Sequence, residues 1–506
     1  MRPGAVTLDP GRLRSLLAPV APVAPALHEL DEVFDEAVRA RAEVGLALEL
    51  ATRVARGIPR PGHGSTARYL ETLATLAAAD VTVARVVEPH LDAAMILAEC
   101  PAPVDLRGVG ADASSTWGVF AAEGPGVRLT ATPTPDASGW LLDGTKPWCS
   151  LAGRLTHALV TAHVAADGAG WPDATDGADA TERSAAVGGG RRLFAVDLRH
   201  DGVTAQEDAW VARGFPSVPS GPTDFARVPA VAVGATGWYL GRAGFEWGGI
   251  GVAACWFGGA VGVARRVVQA AAERGDDIAL LHAGRVALAV QSAASALAAA
   301  AAAMDQAVMD QAAMDPAAMD AAAVHAAAAD AAAVDPTGGS TAVAGDTAGE
   351  AALLAQVTRS IVRAAAEDVL REAAHALGPS PLALDADYAA RVADLELYLR
   401  QDHGTRDEAR VGRLLTALAG PPVVASVVEE PASEVASLEE ASLGKASRGE
   451  ASRGDTVEAS TGEASTGEAS TAEPSLAEWA NTPWAFEEPP AAAAGPAAAS
   501  QRGLRP

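Results

Sequence analysis

The apolar pattern changes its period twice along this 506-residue chain, and that change limits the folds open to it. Arg12 to Leu17, Leu27 to Leu50 and Thr66 to Leu97 carry apolar residues at helical spacing. Pro19, Pro22 and Pro25 separate the first two runs, and Pro101 with Pro103 closes the block. From about 114 to 235 the runs shorten, with Gly, Pro and Asp between them: Thr116–Ala122, Val127–Ala131, Trp140–Leu142, Ala158–His163, Arg192–Leu198 and Asp224–Val233. That is the signature of strands. Helical spacing then returns in Gly248–Ala272, Asp277–Met304, Glu350–Ala376 and Asp387–Leu418. The order predicts an α+β chain: a helical domain over 1–113, a β-barrel or sandwich over 114–235, a four-helix bundle over 236–418, and a tail over 419–506.

Three stretches fall outside this frame. Ala165 to Gly190 is polar and rich in Gly, Ala and Asp, and reads as a mobile surface insert. Met304 to Asp346 repeats Met-Asp every five residues, a period matching neither helix nor coiled coil, and reads as a low-complexity insert between bundle helices. Past Gly420, recurring Glu-Ala-Ser cannot bury enough apolar surface to offset its ordering entropy, so the acidic tail reads as disordered.

The formal net charge of −26, with no basic stripe, argues against nucleic acid as a partner. Cys100, Cys149 and Cys255 are too scattered for a metal pattern or a disulfide framework, which fits a reducing cytoplasm. The N-terminus lacks the charged and apolar regions of a secretory signal. Trp247 to Ala264 carries no charge and approaches membrane-spanning length, but its Gly and Ala content fits a helix buried inside a bundle, so no span is expected.

Chemistry concentrates in Gly139 to Gly153. Asp143-Gly144 between apolar flanks signals a hairpin turn. Beyond it, Trp148 and Ser150 would point to one side of an extended strand, an aromatic plate beside a hydroxyl, suited to a planar heterocycle or simply to a core. Cys149 would face the other way as a structural thiol. Asp385-Ala-Asp387 precedes a helix and suits an N-cap. His90 and His403 are weaker candidates, a packed and a helix-end histidine. No zinc spacing, phosphate loop, nucleophile elbow or dinucleotide fingerprint is present.

Leu142-Asp-Gly-Thr-Lys-Pro-Trp-Cys-Ser150 resembles the flavin-facing strand of the acyl-CoA dehydrogenase family, Leu-x-Gly-x-Lys-x-Trp-Ile-Thr/Ser. Further segments resemble that family in the same order: Trp117 to Gly126, Asp224 to Pro229, Gly244-Phe245, Gly258 to Arg265, and Asp394 to Gly404. The resemblance covers about 27 to 418 apart from the inserts. It implies an FAD enzyme that dehydrogenates an acyl thioester and passes electrons to an electron-transfer flavoprotein. It places Val119, Phe120, Trp148 and Ser150 along the flavin. Aligning Gly378 and Asp394 with the family puts Asp385 at the catalytic base. The family also implies a homodimer or homotetramer through the bundle, and no metal.

The departures bear on function. The Glu-Pro-x-x-Gly-Ser segment is reduced to Ala121-Ala-Glu-Gly-Pro-Gly126. Glu273-Arg-Gly-Asp-Asp277 stands where the family has Arg-x-x-Phe-Gly, and Trp247-Gly-Gly249 where it has an arginine. Two alternatives follow: a flavin-dependent monooxygenase on the same scaffold, with oxygen as acceptor, or a non-catalytic descendant kept for binding.

Overall fold

A computed structural model describes residues 4–17, 28–136, 139–164, 190–314 and 344–418. The expectations for 165–189, most of the Met-Asp insert and the tail fall outside the described residues.

Among the described residues five α-helices come first: α1 (Leu13–Leu17), α2 (His28–Arg39), α3 (Val44–Ala55), α4 (Thr66–Ala79) and α5 (Val81–Glu99). The runs expected as single helices over 27–50 and 66–97 are each broken once. Ala42 takes a positive φ of 64° between α2 and α3. Asp80 is extended between α4 and α5 and accepts a hydrogen bond from Val83 N at 3.0 Å, which caps α5. Apolar periodicity runs through both breaks, so the sequence pattern hides them.

Seven strands follow among the described residues: β1 (Trp117–Phe120), β2 (Leu129–Pro133), β3 (Trp140–Lys146), β4 (His157–Val164), β5 (Gly190–Asp197), β6 (Val203–Ala205) and β7 (Thr223–Val233). β4 pairs with β2, β2 with β3, β3 with β7, β7 with β5, and β5 again with β4, so these strands close into a small barrel. β1 runs parallel to the first half of β4, and β6 pairs with β7. Closure removes exposed edges.

Asp143-Gly144 is not the hairpin turn. It lies inside β3, where the pairing with β7 shifts register between Leu142 and Gly144. The reversal comes earlier, where Thr134 N donates to Gly139 O at 2.9 Å. The pair makes a bulge: Asp143 Oδ1 accepts from Arg227 N at 2.8 Å, and Gly144 holds φ +116°. A Cβ at Gly144 would lie 2.1 Å from the Arg128 carbonyl oxygen. Gly144→Ala is therefore expected to lower stability by about 3 kcal/mol in urea unfolding, from strain and backbone clash together.

The bundle contains α6 (Trp238–Gly241), α7 (Ala243–Arg274), α8 (Asp277–Met314), α9 (Ala344–Leu377), α10 (Ser380–Leu384), α11 (Ala386–Tyr398) and α12 (Thr405–Leu418). The expected fourth helix is thus two, α11 and α12, parted by a turn at 399–404. By length and composition α7 and α8 could each cross a membrane, but the most apolar window of α7 is 72% buried and packs on α4, α8 and α9. Gly258 permits the α4 contact, since a Cβ there would meet the Ala74 carbonyl oxygen at 2.0 Å. All three cysteines are free.

Asp394 on α11 ties bundle, barrel and α5 together. Buried at 4% exposure, it accepts from Phe215 N at 2.6 Å and from Thr82 Oγ1 at 2.6 Å.

Candidate active site

A cavity of about 700 Å³ lies where α5, the barrel and the bundle meet. Val119, Ala121, Ala122 and Trp148 line its barrel side, and Arg85, Glu88, Pro89 and Asp92 of α5 line another wall. Gln356 and Arg359 of α9, with His403, Asp407 and Arg410 around the start of α12, line the bundle side.

The barrel wall is held by a buried ionic network. Lys146, 1% exposed, donates to Glu123 Oε1 at 2.6 Å and to Thr161 Oγ1 at 2.8 Å. His163 Nε2 lies 3.1 Å from Glu123 Oε2, and Arg191 lies 3.7 Å from Oε1. Burial works against the charge on Glu123, yet the Lys146 ammonium and the hydrogen bond with His163 carry its carboxyl down to about 2. Burial pulls Lys146 below the ordinary lysine range, opposed by Glu123. Glu123 is the carboxylate that survives in the reduced Ala121–Gly126 segment. It anchors the chain directly after Ala121 and Ala122, while Lys146 anchors the approach to Trp148.

Past Lys146 the strand ends, so Trp148 and Ser150 do not share a strand face as expected. Trp148 has φ 58° and Leu151 φ 59°. A bulky residue in the left-handed region is uncommon, and such strain concentrates at functional sites. The turn presents Trp148 to the cavity. Ser150 is 7% exposed and lies within 2.8 Å of both Arg85 Nη2 and Ser220 Oγ, so its link to the cavity runs through Arg85. Of the other two residues expected along the flavin, Val119 lines the cavity and Phe120 is core, at 2% exposure.

Asp385 lies apart from this site. It is exposed at the start of α11, does not line the cavity, and accepts from Tyr388 N at 3.0 Å, the N-cap geometry. The alignment that made it a base fails because α10 and the turn after it leave it on the bundle surface. Asp385→Ala should cost about 1 kcal/mol of stability, the value of a lost cap, and leave turnover within about twofold of wild type.

His90 is also structural. It is 6% exposed, its Nδ1 accepts from Trp117 N at 3.2 Å, and burial lowers its pKa to about 4. Cys149 is 2% exposed, and burial pushes its thiol up to about 12.

His403 emerges instead. Its Nδ1 lies 3.5 Å from Asp407 Oδ1, and its backbone N–H donates to Asp407 Oδ2 at 3.1 Å. Its Nε2 is buried without a hydrogen-bond partner, and the residue lines the cavity. Burial would raise the Asp407 carboxyl, but hydrogen bonds from His403 and the Arg359 charge bring it to about 2. The turn carrying His403 is fixed by Asp402, which accepts from Gly404 N at 2.8 Å and pairs with Arg363 at 3.0 Å.

Gln356 is 3% exposed, and its Nε2 likewise lacks a partner. Arg359 of α9 brings a guanidinium to the cavity wall. Its Nη1 donates to Gly249 O at 2.9 Å, and its guanidinium lies 4.8 Å from the Trp256 ring centroid. Both residues line the cavity, and a buried polar atom without a partner calls for an explanation, of which a polar ligand is one.

Neither a family model nor a curated protein matches the sequence. Solved structures do match. A nitrososynthase from Micromonospora carbonacea var. africana is 17% identical, with a TM-score of 0.57 over 82% of this chain and 99% of that one. KijD3, solved with FMN and a dTDP-linked 3-amino-4-keto sugar, is 17% identical, with a TM-score of 0.55 over 79% and 95%. TdsC from Paenibacillus sp. A11-2, a dibenzothiophene monooxygenase solved with FMN and indole, is 15% identical, with a TM-score of 0.55 over 76% and 95%. The chain has the fold of these enzymes. At these identities the likeness is one of fold alone.

Proposed function

We propose that the protein is a flavin-dependent oxidoreductase working as a monooxygenase, with FMN in the cavity between barrel and bundle and oxygen as acceptor. The observation that carries this reading is the meeting, around one cavity, of the strained Trp148 with Gln356 and His403, each of which has a buried nitrogen without a partner. These residues fit a flavin. The indole offers an aromatic surface to its ring system, the Gln356 amide can donate to a ring carbonyl, and Arg359 places a cation beside an electron-rich cofactor. FMN takes the place of the FAD expected from sequence, a choice supported by the FMN bound to KijD3 and TdsC.

Bound flavin would supply the electrons and the oxygen chemistry. The chain's own task is to position, exclude water and manage protons. A proton on Nδ1 directed to Asp407 would leave the Nε2 lone pair of this cavity-lining residue uncommitted. His403 would there accept a proton from the reacting substrate and return it, while Asp407 holds the ring in orientation.

The dehydrogenase reading, an acyl thioester oxidised with an electron-transfer flavoprotein as acceptor, keeps one supporting observation. Glu88 is a buried cavity carboxylate whose pKa burial raises to about 7, suited to a base. Two assays separate the readings. A monooxygenase, reduced by an external donor, consumes oxygen and stays oxidised when given acyl thioesters without air. A dehydrogenase is bleached by the thioester alone. A colourless protein that takes up no flavin contradicts both and supports the binding-protein alternative.

Assembly through the bundle belongs to the same proposal. Ile278 and Leu288 of α8 are 61% and 74% exposed, an apolar surface suited to a second copy. Sedimentation is expected to give a dimer or tetramer, and a monomer would contradict it.

A further inference from the structure

Arginines outnumber acids around the cavity. Among the described residues six arginines and four carboxylates line it, in a chain whose formal net charge is −26. The acids are already matched. On the α5 stripe Arg85, Glu88 and Asp92 lie at i, i+3 and i+7; Glu88 stands 3.7 Å from Arg85, and Asp92 stands 4.0 Å from Arg242. Glu246 accepts from Arg410 at 2.7 Å, and Asp407 lies 3.5 Å from His403. Burial also raises the carboxyls of Glu88, to about 7, and of Asp92, which trims the negative side further.

The surplus lies on α12. Arg406, Arg410 and Arg413 occupy i, i+4 and i+7, one face of the helix about 10 Å long, and all three line the cavity. Arg406 and Arg413 are exposed as well, which puts them where the cavity meets solvent. The acids beside Arg406 in sequence are engaged elsewhere: Asp402 and Glu408 pair with Arg363 at 3.0 and 2.5 Å. Gln356 adds an independent sign. Its Oε1 accepts from Arg410 Nη1 at 3.3 Å, which leaves its buried Nε2, a donor, without a partner. What this wall lacks is an acceptor.

A guanidinium presents its N–H groups as a planar fork, which matches a carboxylate, sulfonate or phosphoryl group. Such an anion would supply the acceptors and offset the surplus charge. Arg406 N donates to His403 O at 3.3 Å, so the stripe begins one turn from the imidazole that would take the substrate's proton. That proximity favours the substrate as the bearer of the anion.

We propose that the α12 wall is the recognition site for an anionic group on the substrate, a carboxylate, sulfonate or phosphoryl held by Arg406, Arg410 and Arg413. The proposal rests on the cavity being the substrate chamber, as in the reading above, and adds the charge of the substrate. The phosphate of FMN is the competing occupant.

The test is calorimetry on the full chain, with and without saturating FMN. Benzoate, benzenesulfonate and phenyl phosphate are compared with benzamide, a neutral probe close to benzoate in shape. In the FMN-loaded protein at least one anion should bind at least about tenfold tighter than benzamide, the value of a hydrogen bond to a charged group. That preference should weaken as salt rises from about 0.05 to about 0.5 M. Arg406→Gln and Arg413→Gln, both at exposed positions, should each reduce the preference and leave benzamide binding unchanged. Equal binding of anions and benzamide, undetectable anion binding, or a preference surviving in the double variant would overturn the proposal. A preference that appears without FMN and vanishes once FMN is bound would overturn it too, and give the arginines to the cofactor's phosphate. Flavin absorbance read in the same samples keeps the readings apart. FMN binding without anion preference overturns this inference alone, and anion preference in a protein that takes up no FMN overturns the flavin reading alone.

Discussion

Glu123→Gln is expected to destabilise the protein by about 3–5 kcal/mol, because it removes the carboxylate from a buried ammonium. Lys146 is 1% exposed, and although a glutamine oxygen could still accept from it, neither that amide nor Thr161 would carry a balancing charge. Thr161 carries no charge, so the desolvated ammonium would lose its compensation. Arg191 would lose its carboxylate as well. Lys146→Met should recover part of this loss in the Glu123→Gln background, and the double-mutant cycle gives the coupling. The sign with pH is fixed. The folded-state pKa of Glu123 lies at about 2, below the ordinary 4.5, so its contribution is complete above the ordinary value and lost as pH falls toward 2. In urea titrations the gap between wild type and variant should close over that window. A gap constant down to low pH, or a variant as stable as wild type, would contradict the network's role. Because Glu123 follows Ala121 and Ala122, and Lys146 precedes Trp148 by two residues, the variant should also bind FMN more weakly.

The second large effect concerns His403. His403→Ala should reduce kcat by about 10²- to 10⁴-fold, the range for loss of a positioned proton-transfer group. FMN affinity should change far less, since the rest of the cavity wall remains. Asp407→Asn should give a smaller loss of kcat, with the pH–rate profile displaced because the carboxylate charge beside Nδ1 has gone. An unchanged kcat in His403→Ala would remove the histidine from the mechanism. A loss of FMN binding equal to the loss of rate would make it a cofactor-holding residue instead.

These residues differ in how readily the sequence disclosed them. The α+β order was legible because burial imposes period 3.6 on helices and 2 on strands, and the expected runs fall on β1 to β5 and β7. The short β6 carries too few residues to show a period. Asp143-Gly144 was misread for a physical reason. The positive φ that suits a hairpin turn also suits a bulge, and the pairing that distinguishes them involves β7, some eighty residues away. Trp148 was legible as a residue, but its backbone was not, because a non-glycine residue at φ 58° has no local signature. Asp385 illustrates the opposite case, where the local cap pattern was the correct guide and the long-range alignment was not.

His403 and the α5 stripe left signals that could be read. His403 and Asp407 stand four apart at a helix start, the spacing that lets them meet. Arg85, Glu88 and Asp92 recur on one face of a helix otherwise lined with Val, Ala, Leu and Ile, and charges so placed need either solvent or a cavity. What the sequence withheld is which of these the helix faces.

The most direct test of the account is a titration of the purified chain with FMN, followed by absorbance and flavin fluorescence for wild type and Trp148→Leu. The account predicts saturation at one flavin per chain, a shifted and quenched flavin spectrum, and markedly weaker binding in the variant. A wild type that leaves the flavin spectrum unchanged, or a variant that binds and quenches as well as wild type, would contradict the placement of a flavin against Trp148.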